Sequence, residues 1–336
     1  MNKRRLNILV SLIVAGLFVW LAVRSIDLAD VGAELRRVSL WWLPLFIVVL
    51  LASHHLRAMR WRLLLPVSHR DSVPGATLFA GVMTGYFVNN LVPRLGEISR
   101  PVYVAKRCGM DTGNLIGTIV LERIIDVFSM FCIVLIVAVY LSREFVLLEE
   151  LLGIDEWPFL VYVLIPVLIL LFFLSAWALF RALQYLEKSG RIQQPLLKKL
   201  IASAASFGEG MVSIRHIPNW PKFVGLTIGI WIGYILMTYI PFFMLDLHDT
   251  FGLGLADAMV LTIVSSIGVT IPTPAGIGSY HLLIQQSMWL IYGIPLATAL
   301  TFATVAHAST VLIIVAATPI IWWWDKNHTR ANPVER

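Results

Sequence analysis

Two short stretches, Asn89-Asn90-Leu91-Val92-Pro93-Arg94-Leu95-Gly96-Glu97 and Ile271-Pro272-Thr273-Pro274-Ala275-Gly276-Ile277-Gly278, decide how this chain is read. Each interrupts an apolar region, 75–104 and 255–294, that would otherwise pass for one continuous helix. Proline removes a backbone donor and glycine favours non-helical backbone, so Pro93, Gly96, Pro272, Pro274, Gly276 and Gly278 mark breaks. Each region is expected to form a helical hairpin, either re-entrant or built from paired short helices. Non-helical backbone at membrane depth is tolerated only where protein or a water-filled cavity covers it. The two breaks are therefore the first places to look for a site.

The rest of the chain requires a membrane. Of 336 residues, 58% are hydrophobic and 14% charged, whereas soluble domains carry about 45–50% apolar and about 25% charged residues. The apolar runs are long and lack period-two alternation, which excludes an outer-membrane barrel. At about 20 apolar residues per crossing, full spans are expected at 6–23, 40–58, 117–141, 157–180, 222–245 and 296–324. The first of these follows Lys3-Arg4-Arg5, but its apolar run is too long for a secretory signal and no cleavage site follows, so it is read as an uncleaved span. The fold class is an all-α polytopic membrane protein of about six full spans plus two broken or re-entrant helical hairpins.

Charge sets the orientation. With the N-terminus inside, 21 of the 26 Lys and Arg residues fall in cytoplasmic pieces, as the positive-inside rule requires. The 142–156 loop, rich in Glu and Asp, falls outside. Both termini are then cytoplasmic, and the membrane is the cell inner membrane. The order span, span, broken hairpin, span then occurs twice from opposite sides, an inverted-topology repeat of the kind secondary transporters use. Residues 1–141 form the first repeat, 142–324 the second, and 325–336 a cytoplasmic tail. Within the second, Leu196, Leu197, Leu200 and Ile201 beside Lys198 and Lys199 suggest that the 181–221 connector includes a helix lying on the cytoplasmic leaflet.

The densest ionisable cluster at membrane depth is Glu122, Arg123 and Asp126, within the span 117–141. A charge at the centre of a membrane helix costs about 2.5–3.5 kcal/mol on insertion scales, so these three must face inward and be paired. Glu122 and Asp126 share a helix face. Arg94, Glu97 and Arg100 are their natural partners, and if helix resumes after Pro93 these three form one stripe. One reading is an ion network that fastens the helix to the first hairpin; the other is a polar site, in which the arginine forks suit a phosphodiester. Asn90 lies beside the first break, and Thr273 and Ser279 offer uncharged hydroxyls at the second.

Other polar residues call for less. His281 and His307 are lone histidines in apolar runs, expected as hydrogen-bonded packing residues, and their spacing makes no metal site. His54, Arg57 and Arg60 end the second span, where snorkelling to the interface accounts for them. Trp41-Trp42 and Trp322-Trp323-Trp324 read as interfacial belts. Cys108 and Cys132 have no redox or metal spacing. Without a Walker sequence, an HExxH or a nucleophile elbow, no cofactor, no metal and no ATP-driven pump are expected.

Four motifs in order carry a resemblance: Arg57-Ala-Met-Arg-Trp-Arg-Leu-Leu-Leu65, Asn90-Leu-Val-Pro-Arg-Leu-Gly-Glu-Ile-Ser-Arg100, Val120-Leu-Glu-Arg-Ile-Ile-Asp126, and Pro272-Thr-Pro-Ala-Gly-Ile-Gly-Ser-Tyr-His281 with His307. Over most of 40–315 the chain resembles the flippase-like family typified by the transmembrane region of lysylphosphatidylglycerol synthases. The soluble aminoacyl-transferase domain of those synthases has no counterpart here, so lysyl transfer is not carried over. The resemblance implies transbilayer movement of a phospholipid or lipid-linked head group, with Pro93, Arg94, Gly96, Glu97, Arg100, Glu122, Arg123, Asp126, Pro274, Gly276, Gly278 and His281 lining the route. The expected partner is a membrane lipid and not a nucleic acid. Two rivals stand beside this expectation. One is a membrane-embedded head-group transferase using Glu122 or Asp126 as base, and the other a non-catalytic partner of lipid-modifying or envelope-glycan enzymes.

Overall fold

The computed structural model describes residues 3–24, 26–65, 67, 69–152 and 217–329. The expected span at 157–180 and nearly all of the 181–221 connector lie outside the described residues. Among the described residues the structure is entirely helical: α1 (Lys3–Val23), α2 (Leu28–Leu35), α3 (Leu43–Leu64), α4 (Gly75–Leu91), α5 (Gly96–Cys108), α6 (Thr112–Leu152), α7 (Trp220–Met244), α8 (Leu247–Phe251), α9 (Leu255–Thr270), α10 (Ser279–Tyr292) and α11 (Leu296–His328). A 3-10 turn at Leu40–Trp42 leads into α3, and another at Pro274–Gly276 lies between α9 and α10. Among the described residues three helical stretches, Leu40–Leu64, Trp220–Met244 and Leu296–His328, are long and apolar enough to cross a bilayer.

Both breaks fall where proline and glycine put them. The first region becomes α4 and α5, packed on each other across Val92–Leu95, and the second becomes α9 and α10, packed across Ile271–Gly278. Each partner has 13 to 17 residues, about 20–25 Å at 1.5 Å per residue, which is shorter than a hydrocarbon core of about 30 Å. Close approach in the first hairpin depends on Gly96, because a Cβ there would meet the carbonyl oxygen of Gly85 and the side chain of Asn89.

Three apolar cores join these parts. One gathers α3–α6 around Trp61, Leu78, Val104 and Leu115. A second gathers α7, α9, α10 and α11 around Phe242, Leu261, Ile284 and Phe302. A seam of Phe46, Leu50, Met83, Ile240, Met244, Val305 and Ile314 connects them. Helices α3 and α7 pack on each other through small residues: Gly229 faces Leu56 and Gly233 faces Ser53. Lipid tails are as apolar as leucine, so helices in a membrane gain by such close backbone packing rather than by a hydrophobic drive.

Two expectations need correction. Helix α6 continues to Leu152, through residues expected to form an outer loop at 142–156, because no proline or glycine interrupts 118–152 and its leucines and glutamates favour helix. Helix α11 reaches His328, and Asp325 near its end is fully buried. Asp325 accepts from Thr77 Oγ1 at 2.6 Å, Tyr103 OH at 2.8 Å and Arg107 Nε at 3.0 Å, so it fastens α11 to the first hairpin. Trp41 is 85% exposed, as an interfacial residue should be, but Trp322 turns inward and donates to Thr84 Oγ1 at 2.7 Å.

Candidate functional site

Glu122 and Asp126 project from one face of α6, one turn apart, as their spacing requires. Glu122 is 1% exposed and accepts from Arg57 Nε at 2.6 Å and from Arg100 Nη1 at 3.0 Å, with Arg60 Nη2 at 3.6 Å. Asp126 accepts from Arg57 Nη2 and, at 2.5 Å, from Arg60 Nη2. Arg57 also donates to Tyr234 OH on α7, which lies 3.2 Å from Tyr86 OH on α4. Arg100 stacks its guanidinium 4.1 Å above the ring of Trp61, whose Nε1 donates to Thr118 Oγ1 at 2.8 Å. Four helices, α3, α4, α6 and α7, and the first hairpin's α5 thus meet at one set of charges.

Arg57, Arg60 and His54 are therefore not interfacial, because each is no more than 2% exposed. Snorkelling fails for them because α6 brings two carboxylates to the same depth, and pairing there beats reaching for water. The charges do not cancel. Three buried guanidinium groups face two carboxylates, so the cluster keeps one net positive charge among the residues described.

Arg57 and Arg100 of this cluster line a small cleft, of about 20 Å³, together with Val82, Gly85, Tyr86, Asn89, Gly96, Glu97, Ile119 and Arg123. At its rim Glu97 and Arg123 are nearly half exposed and 3.2 Å apart, and Arg123 lies 3.8 Å from Asp126. The positive end of the α5 dipole adds to the potential here, since Gly96 and Glu97 form the first turn of that helix. Asn89 caps the break by accepting from Gly96 N at 2.7 Å. Asn90 is half-buried with its Nδ2 buried and without a hydrogen bond.

Arg94 stands apart from the stripe expected of it. It precedes α5, with a left-handed φ of 64°, and extends to the carbonyl of Thr270 at 3.5 Å, at the end of α9. It is thereby the residue through which the first break reaches the second, and helix α4 also packs on the Pro274–Gly276 turn.

At the second break the hydroxyls serve the backbone. Ser279 Oγ donates to Gly268 O at 2.8 Å and lies 2.9 Å from Thr273 Oγ1, and both residues are buried. Breaking a helix frees carbonyls, and these hydroxyls recover some of that loss inside the protein. His281 and His307 are not lone residues, because their rings lie 5.1 Å apart and Tyr280 sits 5.0 Å from His307. Neither His281 Nδ1 nor His307 Nε2 has a hydrogen-bond partner. No group of three or more His, Cys, Asp or Glu residues that could hold a metal occurs among the described residues.

Residues 8–317 match the family described as the lysylphosphatidylglycerol synthase TM region. The chain belongs to that family. Among curated proteins it is similar to the UPF0104 membrane protein MJ1078 of Methanocaldococcus jannaschii, 24% identical over 228 residues that cover 67% of this chain and 90% of that one. No solved structure matches. In this member of the lysylphosphatidylglycerol synthase TM region family, the match spans both broken hairpins and all the charges of the cleft. It is a multi-pass membrane protein.

The residues that sequence reasoning missed, His54, Arg57 and Arg60, did leave a signal. They recur every third residue on α3, and two acids buried on α6 demand cations from another helix. His54 stacks on Tyr86 with ring centroids 4.1 Å apart, and neither of its nitrogens has a hydrogen bond.

Proposed function

We propose that this protein moves a phospholipid or lipid-linked head group between the leaflets of the cell inner membrane, with the head group held in the cleft beside the first break. The observation that carries this reading is the uncancelled positive charge buried beside an open cleft. A membrane protein gains nothing in stability from a third buried arginine with no third acid, since each buried ion costs several kcal/mol to desolvate. An anionic or zwitterionic head group would supply the missing negative charge, and guanidinium forks suit its phosphate. The acyl chains would stay among the exposed leucines and isoleucines that face lipid.

The two-hairpin plan supports the same reading. Helices α3 and α7 would be equivalent members of an inverted repeat, α4–α5 and α9–α10 its two hairpins, and α6 and α11 the spans that follow them. Arg94 contacting Thr270 joins the two breaks, where a substrate passing between repeats would meet both. Both termini would be cytoplasmic. A head-group transferase using Glu122 as base gains no support, because a carboxylate held by three arginines at 1% exposure is a poor proton acceptor.

Mass spectrometry of lipid bound to the purified protein tests the site. A phosphate-bearing lipid should co-purify with the protein, and its mass should be unchanged after incubation with it. Recovery of only phosphate-free lipid would contradict the cleft assignment.

A further inference from the structure

The rim of the cleft carries an acid where an anion site should have none. Glu97 and Arg123 face each other across the opening at 3.2 Å, nearly half exposed, above the buried Arg57 and Arg100. The contact is loose: Arg123 Nε makes no hydrogen bond, and neither does Arg100 Nε behind it. Arg123 also has a second carboxylate within reach, Asp126 at 3.8 Å, so it would not be left unpaired if Glu97 moved away. Glu97 itself has the freedom to move, because it is exposed on the first turn of α5 and makes no other ion pair among the described residues.

We infer that the Glu97 carboxylate is a tethered stand-in for the phosphate of the ligand: it closes the empty cleft by pairing with Arg123, and an incoming phosphate group displaces it. The inference rests on the proposed head-group site and adds a residue that sets its affinity. A phosphate arriving at the half-exposed Arg123 trades one loose carboxylate contact for charge-assisted bonds of better geometry, with the positive charge of Arg100 behind it on the cleft lining. Glu97, released, remains at the mouth as a negative group. It opposes a second anion and favours a head group that carries a cation beyond its phosphate. Tight binding would stall a carrier, so a built-in competitor that weakens the bound state suits a protein that must also release its cargo.

Titration of the purified full chain in detergent tests this, with inorganic phosphate and dihexanoyl phosphatidylglycerol as probes and dihexanoyl glycerol as the uncharged control. Removing a half-exposed like charge beside the site in Glu97→Gln should tighten phosphate binding roughly two- to fivefold, while Arg123→Gln should weaken it. Glu97→Ala should shift in the same direction as Glu97→Gln. Tightening for both phosphate probes assigns the site to the phosphate itself, and tightening for the lipid alone assigns it to a lipid-anchored head group; either supports the stand-in. Unchanged or weaker binding of both probes by both Glu97 variants would overturn it. Lipid movement in vesicles separates this result from the parent reading. If wild type moves lipid and the variants do not tighten, only the stand-in fails; if the variants tighten and wild type moves no lipid, only transport fails.

Discussion

Glu122→Gln should destabilise the protein by about 3–5 kcal/mol, the loss expected when one partner of a buried ion pair is removed. The substitution keeps the shape of the side chain and changes little but charge. Arg57 and Arg60 would then share only Asp126, and Arg100, at 5% exposed, would lose the one carboxylate it pairs with, so the buried cluster would go from one uncancelled positive charge to two. The glutamine oxygen can still accept from one guanidinium, which limits the loss to the range given. Unfolding in mixed micelles measures it. Arg100→Met should recover part of the loss in the Glu122→Gln background, because the two sites share one network and their effects are not additive. If Glu122→Gln instead leaves stability within 1 kcal/mol of wild type, the cluster is better hydrated than its burial implies.

Gly96→Ala should be nearly as damaging, by about 3 kcal/mol at the upper end of what overpacking costs. The added methyl would overlap the carbonyl oxygen of Gly85, which is helix backbone and has nowhere to turn, and would come 2.6 Å from Asn89 Cγ. Helix α5 would have to move off α4, and the Asn89 cap on Gly96 N would be lost with it. Gly85→Ala, whose nearest contacts are 3.1 Å and 3.2 Å, should cost less. The same unfolding measurement ranks the two, and the reverse order would show that the hairpin relaxes at its tip rather than along its length.

What the sequence made legible was whatever a local rule governs. Proline and glycine at 93, 96, 272 and 274 fixed both breaks, hydropathy fixed the long helices, and the four-residue spacing of Glu122 and Asp126 fixed their shared face. Partners across the fold were harder to read. Arg57 near the end of an apolar helix fits snorkelling and ion pairing equally well until another helix delivers its acids to the same depth. Arg94 looked helical because Glu97 and Arg100 follow at intervals of three, yet the helix starts only at Gly96. Thr273 and Ser279 were recognised as polar residues at a break, but their bond to each other depends on a turn that no periodicity describes. His281 and His307 come from helices α10 and α11, and only the packing of those two helices shows that the rings face each other.

We propose that the cleft serves movement of lipid across the bilayer. Reconstitution of the purified wild-type protein into liposomes with lipid labelled in the inner leaflet tests it most directly, over a panel of anionic, zwitterionic and uncharged head groups. Phosphate-bearing lipids should reach the outer leaflet faster than in protein-free vesicles, without ATP and with no change in their mass. Unchanged asymmetry for every head group would contradict it, and a mass shift in the labelled lipid would point to a transferase instead.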